Sequence, residues 1–345
     1  MKSLDRCTQL GLATAGMATR DAHLKLDTDG RQRAGVYWGT GMGGAATLEA
    51  GYDEIMRKHA PRPRPMTVPY GMVNATSGQI GIAHRIEGPV LTYCNACASS
   101  ANAIGEAIQA IRAGRIDVAI AGGSESFLVY GVIKAWESLR VLAIEDKAEP
   151  WASCRPFSRD RTGLVLGEGA GAMVLEAEEH AKARGAHIMA TLAGYGVSND
   201  ATHITKPSAD GQSRAMANAL EDATMSPEEI GYLNSHGTGT PVGDEVETIA
   251  IKQVFGAHAF KMPVSATKSM HGHLMGASGA VELILSMQAM ATCSIPPTAN
   301  LRVPDPSCDL DYVPNVGRRG VEFKALMSNS FAFGGANASL IAILP

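Results

Sequence analysis

Short apolar runs without internal alternation recur along this chain, separated by longer stretches in which apolar positions follow a helical period. The run AGVYWGT at 34–40 predicts a strand buried on both faces. A Pro-rich loop follows over 61–69, then a helix near 74–84. A strand at 90–94 leads into a helix over 98–112, which Gly114 is placed to end in the left-handed conformation. The next strand covers 118–121 and enters Gly122-Gly123. Further strands are expected at 172–176, 188–194, 230–234, 263–266, 324–328 and 338–343, and helices at 177–184, 211–223, 244–255 and 276–291. Regular alternation of strand and helix marks an α/β protein. The two halves share a rhythm of strand, reactive residue and small-residue helix, which suggests an internal duplication.

Lys2 and Arg6 ahead of the mildly apolar stretch 7–19 superficially match a secretory leader. Thr8, Gln9 and Thr14 interrupt that stretch, and a buried helix of small residues is the better reading. No segment reaches the roughly 18 unbroken apolar residues of a membrane span. Glu282 and Gln288 interrupt the best candidate, 281–293.

Composition narrows the function classes. The 345 residues are 45% hydrophobic but only 5% aromatic, with 38 glycines, so the core is built from small side chains that let elements approach closely. A formal charge of −4, with Lys and Arg scattered, argues against nucleic-acid binding. Six cysteines without repeated spacing need no disulfide framework, and a reduced cytoplasmic setting is expected.

Four segments carry candidate chemistry. In YCNACASS at 93–100, Cys97 stands between a strand end and a helix start, where the positive end of the helix lowers a thiol's ordinary pKa of about 8.5. A buried Cys is also often a plain small hydrophobe, and Cys94 and Cys97 form a lone C-x-x-C. NSHGTGTPVGD at 234–244 ends a strand at His236 and continues into a loop where Thr238 and Thr240 are placed to bond a polar ligand arm, or to serve turn geometry. SATKSMHGHLMGASGAVE at 265–282 places Lys268 and His273 before a small-residue helix that carries Glu282; an ammonium beside an imidazole favours its neutral form. His271 could share this site, but a place capping a surface turn is the expectation; its role and that of Cys94 stay open. A zinc site from Cys94, Cys97, His271 and His273 matches no closed ligand spacing, so no metal is expected. NSFAFGGAN at 329–337 has glycines that expose N–H groups, as an oxyanion hole needs, or simply form a hairpin turn.

Together these motifs resemble the elongating β-ketoacyl-acyl carrier protein synthases (KAS I/II type) of the thiolase superfamily, along the whole chain. The resemblance implies a duplicated thiolase-like α/β fold, a five-layer α/β/α/β/α sandwich with mixed sheets. Residues 1–185 would form the half carrying the nucleophile, and 186–345 the half carrying both histidines. It implies Cys97 as nucleophile, His236, His273, Lys268 and Glu282 as its catalytic partners, and the N–H groups of Cys97 and Phe333 as oxyanion hole, with Phe333 gating the acyl pocket. Thr238 and Thr240 would hold the pantetheine arm, and Trp136, Phe331 and Asn337 would border substrate. The implied reaction is decarboxylative condensation of a malonyl thioester with the acyl group on Cys97, with no metal or redox cofactor.

Acyl carrier protein is the implied partner, and a homodimer the implied assembly. Being acidic, the carrier needs a basic patch, for which Lys2, Arg62, Arg64 and Arg140 are candidates. The chain departs from the family pattern in three places. It starts after a segment expected to supply a strand central to the first sheet, Ala332 replaces a usual Gly, and Trp136 stands where a smaller aromatic is usual. A non-catalytic or truncated partner subunit, or a thiolase-type acyltransferase acting on CoA thioesters, are the alternatives. The thiolase would want a Cys within 329–339, and there is none.

Overall fold

The computed structural model describes residues 3–345 and divides into two compact units. The first comprises the chain up to Leu139, residues 167–187 and residues 274–280; the second comprises 140–166, 188–273 and 281–345.

The first unit is built on a four-stranded sheet of β1 (Ala34–Gly39), β2 (Val90–Tyr93), β3 (Val118–Glu125) and β4 (Gly169–Glu176), in the order β2-β1-β3-β4. β1 runs parallel to both β2 and β3, and β4 is antiparallel to β3. Every residue of β1 and β3 is buried, and β1 and the first half of β3 read as continuous apolar runs for that reason. Val36, Trp38 and Ile120 from the sheet meet Ala15 of the helix Arg6–Asp21 and Ile80 of the helix Ala75–His84. Asp5 caps the first of these helices by accepting from the Cys7 N–H at 2.9 Å. Residues 7–19 are thus helical, with Cys7, Ala15 and Thr19 buried.

The second unit holds β5 (Thr191–Asn199), β6 (Tyr232–Asn234), β7 (Val264–Ser265), β10 (Ala325–Phe331) and β11 (Ala336–Ile343), in the order β5-β11-β10-β6-β7. A separate ribbon pairs β8 (Ser294–Ile295) with β9 (Arg318–Arg319). Pairing directions repeat those of the first sheet: β6 is parallel to β7 and β10, and β11 is antiparallel to β10. The strands β2-β1-β3-β4 therefore correspond to β7-β6-β10-β11, and the duplication expected from the sequence rhythm is visible in the topology.

This correspondence corrects one expectation. The first sheet is continuous through its centre, with β1 and β3 each paired on both sides. The strand by which the sheets differ is β5, which lies at an edge, antiparallel to β11.

Two helices, Ala45–Met56 and Tyr130–Ser138, were not anticipated. Both leave large apolar residues exposed: Tyr52, Ile55 and Met56 on the first and Tyr130 on the second. β5 runs past the end expected at Gly194 because its glycines are close-approach sites. A Cβ on Gly196 would lie 2.2 Å from the Ala215 carbonyl oxygen of the helix Ala209–Ala223. Among the described residues, no helix is long and apolar enough to cross a membrane.

The same close packing holds the first unit together. A Cβ on Gly39 would sit 2.3 Å from the backbone nitrogen of Ser100, whereas a Cβ on Gly78 meets nothing within 4 Å. Gly39→Ala is therefore expected to destabilise by about 3 kcal/mol or more, since backbone rather than a flexible side chain must move. Gly78→Ala, inside a helix, is expected to be neutral or to stabilise by up to about 1 kcal/mol. Thermal melts of the two variants beside the parent check the contrast.

Candidate active site

In the first unit, β2 hands the chain to a tight turn before the helix Ser99–Arg112. Ala96 takes a left-handed φ of 47°, and Ala96–Ala98 form one 3-10 turn. The Ser99 hydroxyl donates to the Ala96 carbonyl at 2.6 Å and accepts from the Asn95 N–H at 2.9 Å, so the turn is braced from both sides. Cys97 is set at this helix start and buried, its sulfur 4.0 Å from Met275 Sδ. The helix end favours negative charge at that sulfur. Small residues allow the helix to sit this deep: Ser100 packs where Gly39 and Gly123 lack side chains. Trp136 is buried and lines a cavity of about 940 Å³ with Met42, Tyr52, Met56, Val129 and Leu139.

In the second unit, His236 follows β6 and His273 follows the short helix Lys268–His271. Their rings stand edge to face, 5.3 Å between centroids, and Phe331 lies 6.1 Å from His236. Lys268 is buried and forms an ion pair with Glu282, which is also buried. Its ammonium donates to the His236 carbonyl at 2.6 Å, to Glu282 Oε1, and toward His236 Nδ1 at 3.3 Å. An ammonium only donates, so Nδ1 must be the acceptor and the imidazole proton sits on Nε2. Burial, then the Lys268 charge, hold both histidines well below their ordinary pKa. Burial pushes Glu282 up to about 7, against the pull of Lys268. The sequence motif thus delivers two neutral imidazoles, one of them with a defined tautomer.

The loop carrying His236 is held by residues the sequence reading missed. Glu247 accepts from the His236 N–H at 2.7 Å and the Gly237 N–H at 2.8 Å. Asp244 accepts from Phe157 and Gly239, and pairs with the buried Arg161. Arg161 in turn donates to the carbonyls of Ser158, Thr240 and Pro241 and pairs with Asp305. The sequence signal was present: Asp244 and Glu247 are three apart at the start of a helix, where carboxylates face loop N–H groups.

Other residues have further tasks. The Thr240 hydroxyl caps the helix Pro241–Phe255 by accepting from Gly243, and lies 3.0 Å from the Thr238 hydroxyl. The Asn337 amide donates to Asp200 at 2.7 Å, tying the start of β11 to the loop after β5. Phe333 is half-buried in that turn, followed by Gly334 and Gly335 at φ 85° and 74°. His271 is half-buried and hydrogen-bonded to Gly272 and Thr267, not splayed on the surface, and Cys94 donates its S–H to the Gly41 carbonyl. Of the docking candidates, Arg62 and Arg140 are exposed, Arg64 is ion-paired with Glu54 at 2.9 Å, and Lys2 lies outside the described residues.

Comparison with known proteins decides what these pieces belong to. Residues 1–181 match the family model "Beta-ketoacyl synthase, N-terminal domain" and residues 189–302 match "Beta-ketoacyl synthase, C-terminal domain". The chain belongs to the β-ketoacyl synthase family. It is 48% identical over 338 residues to Nodulation protein E of Rhizobium leguminosarum bv. trifolii, covering 98% of this chain and 82% of that one. It is 42% identical over 342 residues to 3-oxoacyl-[acyl-carrier-protein] synthase 2 of Staphylococcus aureus, covering 99% and 84%. Among solved structures, a β-ketoacyl synthase from Burkholderia phymatum matches with a TM-score of 0.92 at 35% identity, covering 99% of this chain and 83% of that one. A type II polyketide ketosynthase in complex with its acyl carrier protein matches with a TM-score of 0.95 at 33% identity, covering 99% and 85%. The fold is the thiolase-like α/β fold with mixed sheets, and family members are acyltransferases.

One consequence follows for the histidines. Because burial and Lys268 hold them neutral well below pH 6.5, malonyl-thioester decarboxylation is expected to show no acid limb near pH 6.5 in the parent enzyme. Lys268→Met removes the positive charge that opposes protonation of His236, so the folded pKa rises and an acid limb moves up towards pH 6.5. Rate–pH profiles of both proteins check this.

Proposed function

We propose that this chain is a β-ketoacyl-[acyl carrier protein] synthase, joining an acyl group held on Cys97 to a malonyl unit with loss of CO2. The observation that carries this reading is the Lys268 ammonium 3.3 Å from His236 Nδ1, which leaves a neutral Nε2–H as donor. A decarboxylating condensation needs such a donor where enolate charge develops.

Cys97 attacks the carbonyl of an acyl thioester, forming an S–C bond. N–H groups of Cys97 and Phe333 stabilise the oxyanion, and collapse releases the carrier thiol, which takes the proton lost by Cys97. A malonyl thioester then enters, with its pantetheine arm against Thr238 and Thr240. Its C–C bond to the carboxylate breaks, CO2 leaves, and the electron pair becomes an enolate whose oxygen accepts from His236 and His273. The enolate carbon attacks the acyl carbonyl, and collapse expels the Cys97 thiolate and frees a β-ketoacyl thioester. Burial and the Lys268 charge hold the imidazoles in their neutral form, and Glu282 holds Lys268 in place. The reaction balances without metal or redox group.

Trp136 and Phe331 border the acyl chain, Phe333 gates its entry, and Asn337 anchors that gate through Asp200. Acyl carrier protein is the thioester donor, as in the name of the Staphylococcus aureus relative and in the solved ketosynthase complex. Arg62, Arg64 and Arg140, with Lys2, supply positive charge for docking. The protein works in the cytoplasm as a homodimer, for which β2 offers a sheet edge with Val90 and Leu91 exposed.

Mass spectrometry after incubation with acyl-[acyl carrier protein] is expected to find one acyl group on Cys97 in the parent and none in Cys97→Ala. His273→Ala is expected to acylate normally but to lose malonyl decarboxylation by about 100- to 10,000-fold. An unacylated Cys97 on a folded parent protein would sink the proposal.

A further inference from the structure

Glu125 ends β3 and takes no part in the reaction written above. It is fully buried, and its carboxylate collects four donors. Oε2 accepts from the N–H groups of Gly41 at 2.6 Å and Gly276 at 3.0 Å. Oε1 accepts from the Met42 N–H at 3.1 Å and the Thr40 hydroxyl at 3.2 Å. Burial pushes its pKa up to about 7, while these donors pull it down. Four hydrogens converging on two oxygens suit an acceptor-only carboxylate and leave poor accommodation for a proton.

Both segments gripped by Glu125 adjoin Cys97. The Gly41 carbonyl accepts from the Cys94 thiol at 3.3 Å, three residues before Cys97. Gly276 follows Met275, whose sulfur lies 4.0 Å from that of Cys97. Met275 has a left-handed φ of 45°, a conformation that persists only where its surroundings impose it. The segments also fit closely: a Cβ on Gly276 would lie 2.4 Å from Gly41 N and 2.6 Å from the Thr40 carbonyl carbon.

We propose that Glu125 is a positioning residue for the condensation: one buried carboxylate clamps the Thr40–Met42 turn to Gly276 and thereby fixes Cys94 and Met275, which flank Cys97, and with them the direction of thiol attack. This rests on Cys97 being the nucleophile.

Glu125→Gln keeps the shape and one acceptor oxygen but turns N–H groups against backbone donors. Three quantities are measured on the full chain: the thermal midpoint, the number of Cys97 sites titrated by iodoacetamide, and the kinetics of acyl transfer from acyl-[acyl carrier protein] per titrated site. The expected result is full titration with KM within about twofold and a per-site transfer rate reduced about 10- to 100-fold, the cost of a misplaced nucleophile. A loss that only lowered the folded fraction would reduce the titrated sites and leave the per-site rate intact, which would overturn the proposal. If Glu125→Gln does not fold, Thr40→Val decides; at constant shape it removes one of the four donors and, with it, the acceptor of the Gly43 N–H in the same turn. A per-site rate lowered about threefold or more supports the clamp, and an unchanged rate overturns it. Absence of any Cys97 adduct in the parent would instead overturn the functional reading, and this inference with it.

Discussion

A charged ammonium enclosed beside two imidazoles is the constraint on which the second unit's chemistry depends. Burying Lys268 and Glu282 together costs solvation that their attraction repays only if the remaining hydrogen-bond positions are filled. Lys268 fills all three of its own: Glu282, the His236 carbonyl and His236 Nδ1. An apolar pair of equal volume would fill the space with less desolvation, but it would leave Nδ1 without a donor and the ring free to change tautomer. The ion pair is therefore better explained by what it does to the neighbouring ring than by stability.

A second pattern follows from the duplication. β1 and β6 occupy equivalent places in their sheets, and the loop after each is held by a buried carboxylate accepting from consecutive backbone N–H groups. Glu125 takes Gly41 and Met42; Glu247 takes His236 and Gly237. Loops at strand ends expose N–H groups that no ladder can pair, and a carboxylate accepts more of them at once than any other side chain. Both groups are pushed by burial to about 7, and both are pulled down by those same N–H groups. Equivalent strand ends have thus met the same backbone problem with the same group, supplied by β3 in one unit and by the helix Pro241–Phe255 in the other.

Much of this was legible in the sequence, for definable reasons. Buried strands such as β1 and β3 announce themselves because both faces are apolar, and the helix Ser99–Arg112 because small residues follow a reactive one. His236, His273, Lys268 and Glu282 stood in dense motifs, and the structure gathers them in the second unit. What stayed hidden depends on pairing across long sequence separations. Glu125 lies beyond the strand expected at 118–121, and its partner Gly276 is 151 positions away. Arg161 stands in no motif, and only the fold brings it to Thr240, Pro241 and Asp305. Gly194 and Gly196 looked like the end of a strand because a glycine that admits a helix and one that makes a turn are spelled alike.

That ambiguity of glycine bears on how the first unit holds its nucleophile. Rigidity around Cys97 comes less from large interlocking side chains than from side chains that are missing. Gly39 and Gly123 let the helix Ser99–Arg112 press against the sheet until Ser100 fills both vacancies, and the Ser100 hydroxyl then accepts from the Ala280 N–H at 2.9 Å. Contacts made by backbone have no rotamers to change, so the geometry is specified without the conformational entropy that ordering long side chains would cost. The consequence is intolerance: a single methyl group at Gly39 or Gly276 meets backbone, which has nowhere to go. A core poor in aromatics and rich in glycine thus places a thiol by close main-chain contact, which a few short polar side chains and one carboxylate then pin.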